Sequence, residues 1–261
     1  MLSLIKKTPF IIPLIKLKKL FHKFNSQSNE QEIISELVKK HQISETFIEF
    51  GFSGWEFNTI GLTNSWEGFL VDIDKYNVTI AQTIFGKNIK SEQHWLTKEN
   101  LHIFKDWLAD KKLGILSIDV DGNDFWFLEK LISLNPEIVS VEYNPSYMLN
   151  PVTSVYDENF DRRLKHPDWI YYGMSLEAAH RFLSFHDYSL VKISSNCVNA
   201  FFVRNELIAN KSDIIFPEIK HCNYDWPTGM SSASNWQKIK NYEFIEVNKD
   251  LSIKPLKTHK L

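Results

Sequence analysis

The segment LGILSIDVDGND, residues 113–124, decides the fold. Its first seven residues, 113–119, form a mostly apolar run of the kind found in strands that are buried on both faces. The residues that follow, 123–133, place apolar side chains at helical spacing. A buried strand leading into a helix is part of a βαβ unit, so the segment predicts a parallel sheet covered by helices.

The same alternation continues on both sides of this segment. It predicts a doubly wound, mainly parallel α/β sheet, because strands that alternate with helices form βαβ units. Near the end, the predicted strands 188–193 and 199–204 are too close together for a helical crossover, so this last pair is expected to be antiparallel. The remaining predicted strands are 46–51, 68–72, 137–143 and a short one near 88–91, and the predicted helices are 30–40, 75–84, 97–111 and 175–186.

Three regions follow from this pattern. Residues 1–29 form a basic amphipathic leader and hinge, and residues 30–207 form the α/β domain. Within that domain, residues 145–174 are a long insertion of the kind that often serves as a lid or binding segment. Residues 208–261 are a polar C-terminal extension with little periodicity.

Composition excludes several classes of protein. With 43% apolar and 24% charged residues, the chain has the balance of an ordinary globular protein. Its net charge of −2 conceals an asymmetry, because residues 1–25 contain six Lys and no acid, 249–261 carry +3, and 26–248 carry −11. With only four Arg in the chain, we expect no nucleic-acid partner.

Location is predicted from cysteines and apolar runs. Cys197 and Cys222 have neither metal-site spacing nor the pattern of a secreted disulfide framework, so we expect a cytoplasmic protein. No run reaches the roughly 18 to 20 apolar residues of a membrane span.

The leader has an amphipathic pattern that leaves two interpretations open. It could lie on an anionic membrane surface, as a peripheral contact at the inner face. Alternatively, residues 1–24 pack on their own domain or on a second subunit, giving a homodimer. The apolar face comprises Leu14, Leu17, Leu20, Phe21 and Phe24, and the basic face Lys16, Lys18, Lys19 and Lys23.

The first two strands end in residues that suit a nucleoside. Glu49-Phe50-Gly51-Phe52-Ser53-Gly54 ends the first strand, and Asp72, at the end of the second, follows Gly51 by twenty-one residues. A carboxylate at that position can accept hydrogen bonds from ribose hydroxyls. Trp55 and Glu56 would stand where a dinucleotide needs a helix N-terminus for its pyrophosphate, whereas S-adenosylmethionine carries no phosphate. Glu49 and the negative charge of residues 26–248, the acidic body of the chain, suit this cationic cofactor.

Carboxylates also end the next two strands. Asp121 and Asn123 are expected to cap the following helix, and Asp124 to act structurally in its first turn. Asp119 is the better candidate to contact the methionine part of a cofactor, the acceptor or a divalent metal. With Glu142 and Asn144 it could supply hard oxygen ligands for Mg²⁺ or Mn²⁺.

Histidines provide candidates for a general base. His94 follows the short strand near residue 91 and could accept a proton from an acceptor hydroxyl. His166 and His180 are alternatives.

The ordered series of segments resembles the class I S-adenosylmethionine-dependent methyltransferases, specifically the FkbM type, over about residues 45–207. This resemblance implies a Rossmann-like methyltransferase fold with seven strands, the last antiparallel. It also implies that Glu49 and Gly51 line the cofactor, that Asp72 holds the ribose and that Asp119 lies at the methyl-transfer end. The family commonly spaces the glycines of this loop one residue wider than this chain does. The departure affects the cofactor-binding roles assigned to Ser53 and Gly54. The segments are 47–51, 58–59, 66–72, 116–126, 141–144, 172–176 and 199–204.

The resemblance further implies O-methylation of a sugar or nucleotide-linked precursor of a cell-surface glycan such as capsule or lipopolysaccharide. We expect this acceptor to contact the 145–174 segment, where aromatic faces can stack on sugars and arginines can hold a phosphate. The same aromatics could instead form a rigid cover for the sheet edge. Two other functions stay open: a methyltransferase-fold binding protein without turnover, and an NAD-dependent enzyme. The candidate acceptor residues are Tyr147, Arg162, Arg163, Trp169 and Tyr172.

Overall fold

The computed structural model describes residues 11–22, 24–218 and 230–255. These residues divide into two compact units, one within 1–117 and the other within 118–261. Part of the predicted leader, residues 1–10 and 23, lies outside the described residues, as does Cys222. None of the helices that the described ranges contain is long and apolar enough to cross a membrane.

Seven strands form the main sheet, in the spatial order β3-β2-β1-β4-β5-β8-β7. Three further strands, β6, β9 and β10, form a small second sheet. The strands are β1 Thr46–Phe50, β2 Glu67–Asp72, β3 Ile89–Gln93, β4 Ile115–Ile118, β5 Ile138–Glu142, β6 Val152–Ser154, β7 Tyr188–Ile193, β8 Asn199–Arg204, β9 Phe244–Val247 and β10 Ile253–Pro255. The α-helices are α1 Ile11–Lys19, α2 Glu30–His41, α3 Lys75–Ile84, α4 His102–Leu108, α5 Asp124–Leu131, α6 Arg162–Lys165, α7 Leu176–Phe185 and α8 Ser232–Ile239.

In the first unit, β1 pairs in parallel with β2, and β2 pairs in parallel with β3. All five residues of β1 are buried, as a strand covered on both faces requires. Phe47 stands opposite Gly68, and a Cβ on Gly68 would lie 2.2 Å from the Phe47 ring. Glycine is therefore required there because the neighbouring strand's aromatic ring occupies the space.

In the second unit, β8 pairs antiparallel with both β5 and β7. This confirms the predicted antiparallel end of the sheet and the predicted fold class. The helix predicted over 123–133 is shorter, because α5 passes into a 3₁₀ turn at Ile132 and the chain reverses at Asn135, where φ is 57°. The helix predicted over 97–111 is likewise confined to α4.

The second sheet gives the C-terminal region a structural role that its sequence pattern does not predict. Strand β9 lies between β6 and β10, so residues from the predicted insertion and from the predicted extension share one sheet. Their common core contains Tyr147, Val152, Tyr171, Ile239 and Phe244. Elements of three to eight residues are too short to give clear periodicity, which is why 208–261 looked irregular.

Candidate active site

The glycine loop after β1 uses its two glycines in different ways. Gly51 has a φ of 77°, in the left-handed region that favours glycine, and turns the chain as β1 ends. A Cβ on Gly54 would lie 2.7 Å from the Ile80 Cβ and 2.9 Å from the Asn77 carbonyl oxygen. Gly54 therefore allows the loop to pack on α3. The sequence instead predicts that this glycine lets the backbone approach a ligand.

A network of hydrogen bonds that includes the glycine loop fixes Asp72 at the end of β2. Its Oδ1 accepts hydrogen bonds from the Asp74 backbone N–H at 2.6 Å and from the Asn77 side chain at 3.2 Å. The Asn77 Oδ1 in turn accepts from the Gly54 N–H at 3.1 Å. Burial raises the pKa of Asp72 to about 6, although these hydrogen bonds oppose the rise. A preorganised, mostly buried carboxylate thus lies beside the glycine loop.

Glu49 accepts hydrogen bonds from the chain's own loop. One oxygen accepts from the Asn58 N–H at 2.8 Å, and the other from the Thr59 N–H at 2.8 Å and the Thr59 hydroxyl at 2.6 Å. The side chain is 2% exposed, and burial raises its pKa. Within the structure, the carboxylate assigned to cofactor binding therefore stabilises residues 58–59. Ser53, also assigned to the cofactor, is exposed, and its carbonyl accepts from the Glu56 N–H.

No α-helix follows the glycine loop. Between β1 and β2, residues 51–66 contain a 3₁₀ turn at Ile60–Leu62 and no α-helix. Trp55 does not stand at a helix start as predicted but packs with Ile15, and its ring stacks on Phe24 at 5.8 Å. This loop offers no helix N-terminus for a pyrophosphate and is therefore unsuited to a dinucleotide.

His94 follows β3 in the first unit. Its Nε2 lies 2.9 Å from the Glu92 carboxylate, and its backbone N–H donates to the Asp72 carbonyl at 3.1 Å. The ring also lines a cavity of about 370 Å³ between α3 and β3, together with Lys75, Gln82 and Ser91. The pairing with Glu92 orients the imidazole, but its role as a general base stays a prediction.

A cluster of three carboxylates lies in the second unit. Asp119, Asp121 and Glu142 each place a carboxylate oxygen within 4.8 Å of the others. Asp119 is half-buried and Asp121 exposed, whereas Glu142 is 8% exposed and its Oε2 has no hydrogen-bond partner in the described chain. Burial, followed by the charge of Asp119, raises the pKa of Glu142 well above its ordinary value. Such a cluster needs a proton or a cation to be stable.

Arg162 and Tyr172 complete this cluster. The Arg162 guanidinium donates to the Asp121 carboxylate, and its carbon lies 4.2 Å from the centre of the Tyr172 ring. Burial, followed by the charge of Glu142, raises the pKa of Tyr172 well above its ordinary value. Two of the five residues predicted to bind the acceptor therefore lie beside the carboxylates.

Asp121 was expected to cap α5, and sequence reasoning missed its place in the cluster. Its φ of 57° turns the chain just before Gly122, where an added Cβ would lie 2.2 Å from the Phe160 ring. Asn123 does not cap α5 through its side chain either, and its amide donates to the Asp157 carbonyl at 2.8 Å. The available signal was the pair of carboxylates two residues apart, followed by a glycine.

Asn144 follows β5 and is held by hydrogen bonds within the second unit. Its amide nitrogen donates to the Ile170 carbonyl at 2.9 Å and to the Tyr172 carbonyl at 3.0 Å. Its oxygen accepts from the Ser146 N–H at 2.9 Å, and the side chain is 1% exposed. The amide thus holds residues 170–172 in place, and its role as a metal ligand stays a prediction.

The other candidate acceptor residues lie elsewhere in the second unit. Tyr147 is fully buried in the core of the second sheet, so its ring cannot stack on a sugar. Arg163 pairs with Asp161 at 2.7 Å at the surface. Trp169 adopts a φ of 58°, and its N–H donates to the His166 carbonyl at 2.9 Å. For Tyr147, this burial favours the alternative interpretation as part of a rigid aromatic cover.

Asp124 has the structural role that the sequence predicts. Its Oδ1 accepts from the Val120 N–H and its Oδ2 from the Gly122 N–H, both at 2.9 Å. Burial raises its pKa to about 6. The first residue of α5 thereby fixes the loop that carries Asp121.

Comparisons with known proteins add distant structural resemblances. No family model matches the sequence, and no curated protein matches it. Among solved structures, it is similar to magnesium protoporphyrin IX methyltransferase from Synechocystis with bound S-adenosylhomocysteine, at 14% identity and a TM-score of 0.45, covering 67% of this chain and 82% of that one.

Two further structures resemble the chain to a similar degree. An O-methyltransferase from Bacillus cereus has 12% identity and a TM-score of 0.40, with 75% of this chain and 90% of that one covered. A S-adenosylmethionine-dependent methyltransferase from Clostridium acetobutylicum has 10% identity and a TM-score of 0.42, with 68% and 92% covered. At such scores the function of this chain has to be argued from its own residues, and those residues form a mainly parallel seven-stranded sheet with buried or clustered carboxylates where β2, β4 and β5 end.

Proposed function

We propose that the protein is a S-adenosylmethionine-dependent O-methyltransferase. The observation that carries this proposal is the Asp72 carboxylate, which is buried at the end of β2 and held by Asn77 beside the Gly51 turn. A carboxylate at that place suits the hydroxyls of a ribose. The loop lacks a helix N-terminus for phosphates, so a nucleoside without a pyrophosphate fits best.

Cofactor binding is the first test. Asp72→Asn removes the charged acceptor, and hydrogen bonds to charged groups contribute about 1.5–3 kcal/mol, so we expect S-adenosylmethionine to bind about 10- to 100-fold more weakly by calorimetry. Because the pKa of Asp72 is about 6, the native affinity should also fall as the pH drops below 6 and the carboxylate gains a proton. Asp106→Asn, an exposed carboxylate on α4, should change neither result.

A native protein that shows no binding of S-adenosylmethionine by calorimetry or by filter retention would overturn the proposed function. Native-like affinity in Asp72→Asn would instead reject only the role given to this residue. The two outcomes are distinguishable, since the first concerns the native chain alone.

The second unit suits the transfer step. In an O-methylation, the acceptor oxygen attacks the methyl carbon, the carbon–sulfur bond breaks and the hydroxyl proton must be accepted. The sulfonium is already activated, so the protein has to align the groups and remove that proton. Asp119, half-buried beside Glu142, is the proposed base.

We propose a sugar or a nucleotide-linked glycan precursor as the acceptor. Arg162 and Tyr172 support this, because a guanidinium can bind a phosphate and an aromatic face can stack on a sugar ring. Arg162 retains a partner in Asp121, so a phosphate would compete with that carboxylate for the guanidinium.

A divalent cation, Mg²⁺ or Mn²⁺, also fits the second unit, with Asp119, Asp121 and Glu142 as the ligand set. Hard oxygen donors are the ligands these ions prefer, and the buried Glu142 Oε2 without a partner is the kind of atom a cation would satisfy. When bound, the ion would polarise an acceptor oxygen. Arg162 already balances one of the three charges.

Metal binding can be measured without an acceptor. We expect Mn²⁺ to bind the native chain, detected by calorimetry or by its paramagnetic effect on water relaxation. Glu142→Gln should weaken this binding at least tenfold, because it removes one of three charged ligands. Asp161→Asn, a carboxylate that pairs with Arg163 outside the cluster, is the matched control and should bind like the native chain. Equal affinity in both variants would reject the site.

A further inference from the structure

Helix α1 is attached to the first unit by one face. Ile15 is 1% exposed and packs with Trp55, Ile80 and Ile84. At the border of this contact, the Lys19 Nζ donates to the Ile84 carbonyl at 2.8 Å, and the Lys18 Nζ lies 4.3 Å from the centre of the Trp55 ring. Lys18 and Lys19 therefore hold the helix to the protein, so its other face has a fixed direction.

That other face is apolar and exposed, which departs from the predicted arrangement of one apolar and one basic face. We call it the leader patch; its exposures are Ile12 46%, Leu14 49%, Leu17 55%, Leu20 75% and Phe21 84%. At about 100° per residue, Leu17 falls nearly opposite Ile15 with Leu14 beside it, and Leu20 and Phe21 continue this exposed stripe in the turn after Lys19. Soluble proteins rarely leave such a patch uncovered, so it indicates an interaction surface.

We propose that the leader patch docks on an anionic lipid bilayer. The charge of the N-terminal sequence favours that occupant, since residues 1–25 contain six Lys and no acidic residue, whereas residues 26–248 carry −11. Two copies meeting patch to patch would bring these lysine-rich segments together, which is repulsive. An anionic surface attracts them instead, with about 1 kcal/mol for each Lys near the headgroups.

The geometry suits a helix that lies in the plane of the interface. Leu17 and Phe21 would enter the boundary between headgroups and acyl chains, which such helices penetrate by about 5–10 Å. Lys16 is exposed next to this stripe and could extend its ammonium to the headgroups. The contact needs no spanning segment, and it would hold the acidic body near a membrane without inserting it.

Vesicle flotation with the full chain tests this docking, independently of any methyltransferase activity. We expect the protein to float with vesicles of 70% phosphatidylcholine and 30% phosphatidylglycerol, and to float at least tenfold less with phosphatidylcholine alone. The double variant Leu17→Gln/Phe21→Gln should lose at least tenfold in binding to the anionic vesicles. Both side chains are exposed, so its circular dichroism and melting temperature should match the native protein.

The matched control is Phe185→Gln/Phe216→Gln, which removes two apolar side chains that are 58% and 73% exposed outside the leader patch. It should bind anionic vesicles like the native chain. The proposal is overturned if the native chain ignores anionic vesicles or if the leader variant binds them undiminished. The proposal is also overturned if the native chain does not bind vesicles, is a dimer by light scattering and becomes a monomer in the leader variant. The patch would then bind a second copy of the chain.

Discussion

Asp119→Asn should lower methyl-transfer turnover by about 10²- to 10⁴-fold, the contribution typical of a positioned general base. Asparagine keeps the size and one oxygen of the side chain but cannot take up a proton from an acceptor hydroxyl. Because the proposed ribose contact is Asp72, whereas Asp119 clusters with Glu142, the affinity for S-adenosylmethionine should change only a few-fold. Turnover would fall while cofactor binding stays.

The measurement is the release of S-adenosylhomocysteine in the presence of a panel of free and nucleotide-linked hexoses. Asp106→Asn, on the exposed face of α4, is the control for removal of a carboxylate and should keep native turnover. If Asp119→Asn retained more than about a third of the native rate on an accepted sugar, Asp119 would not be the base. His94 would then be the next candidate, since its ring is already oriented by Glu92.

Asp124→Ala should destabilise the protein by about 2–5 kcal/mol. The Val120 and Gly122 N–H groups each lose an acceptor at 2.9 Å, and an unsatisfied buried donor costs about 1–3 kcal/mol. Urea unfolding monitored by tryptophan fluorescence would give the change in the free energy of unfolding. Asp124→Asn should lie between the native chain and the alanine variant, because one oxygen acceptor remains.

Asp161→Ala is the control for this measurement. Its carboxylate also accepts a hydrogen bond from a backbone N–H two residues away, that of Arg163, but it does so near the surface where water can replace it. We expect a change below about 1 kcal/mol. If both alanine variants lost the same small amount, the Val120 and Gly122 N–H groups would have found other partners and the loop would not depend on Asp124.

The main sheet could be predicted from the sequence because most of its strands are short and apolar, and most are separated by helices. Strands β7 and β8 and helix α3 have the predicted bounds. Asp124 was also predictable, because a carboxylate in the first turn of a helix meets unpaired N–H groups. These features depend on residues that are close together in the sequence, so local sequence patterns predict them.

Contacts between distant residues could not be predicted in this way. Arg162 reaches Asp121 across 41 residues, and the left-handed turn at Asp121 that makes this possible leaves no periodic signal. Asn144 looked like a ligand by its position after β5, but its three hydrogen bonds depend on where residues 170–172 run. The burial of Tyr147 depends likewise on strand β9, almost a hundred residues later.

The small second sheet determines where the folded domain can end. Because β9 lies between β6 and β10, a chain shortened after residue 207 would keep β6 without its partner strand. Its backbone would become an open edge, and the buried rings of Tyr147 and Tyr171 would lose Phe244 and Ile239 as neighbours. Residues 45–207, the stretch that resembles a methyltransferase, therefore do not form an independently folding unit. Expressed alone, this fragment should aggregate.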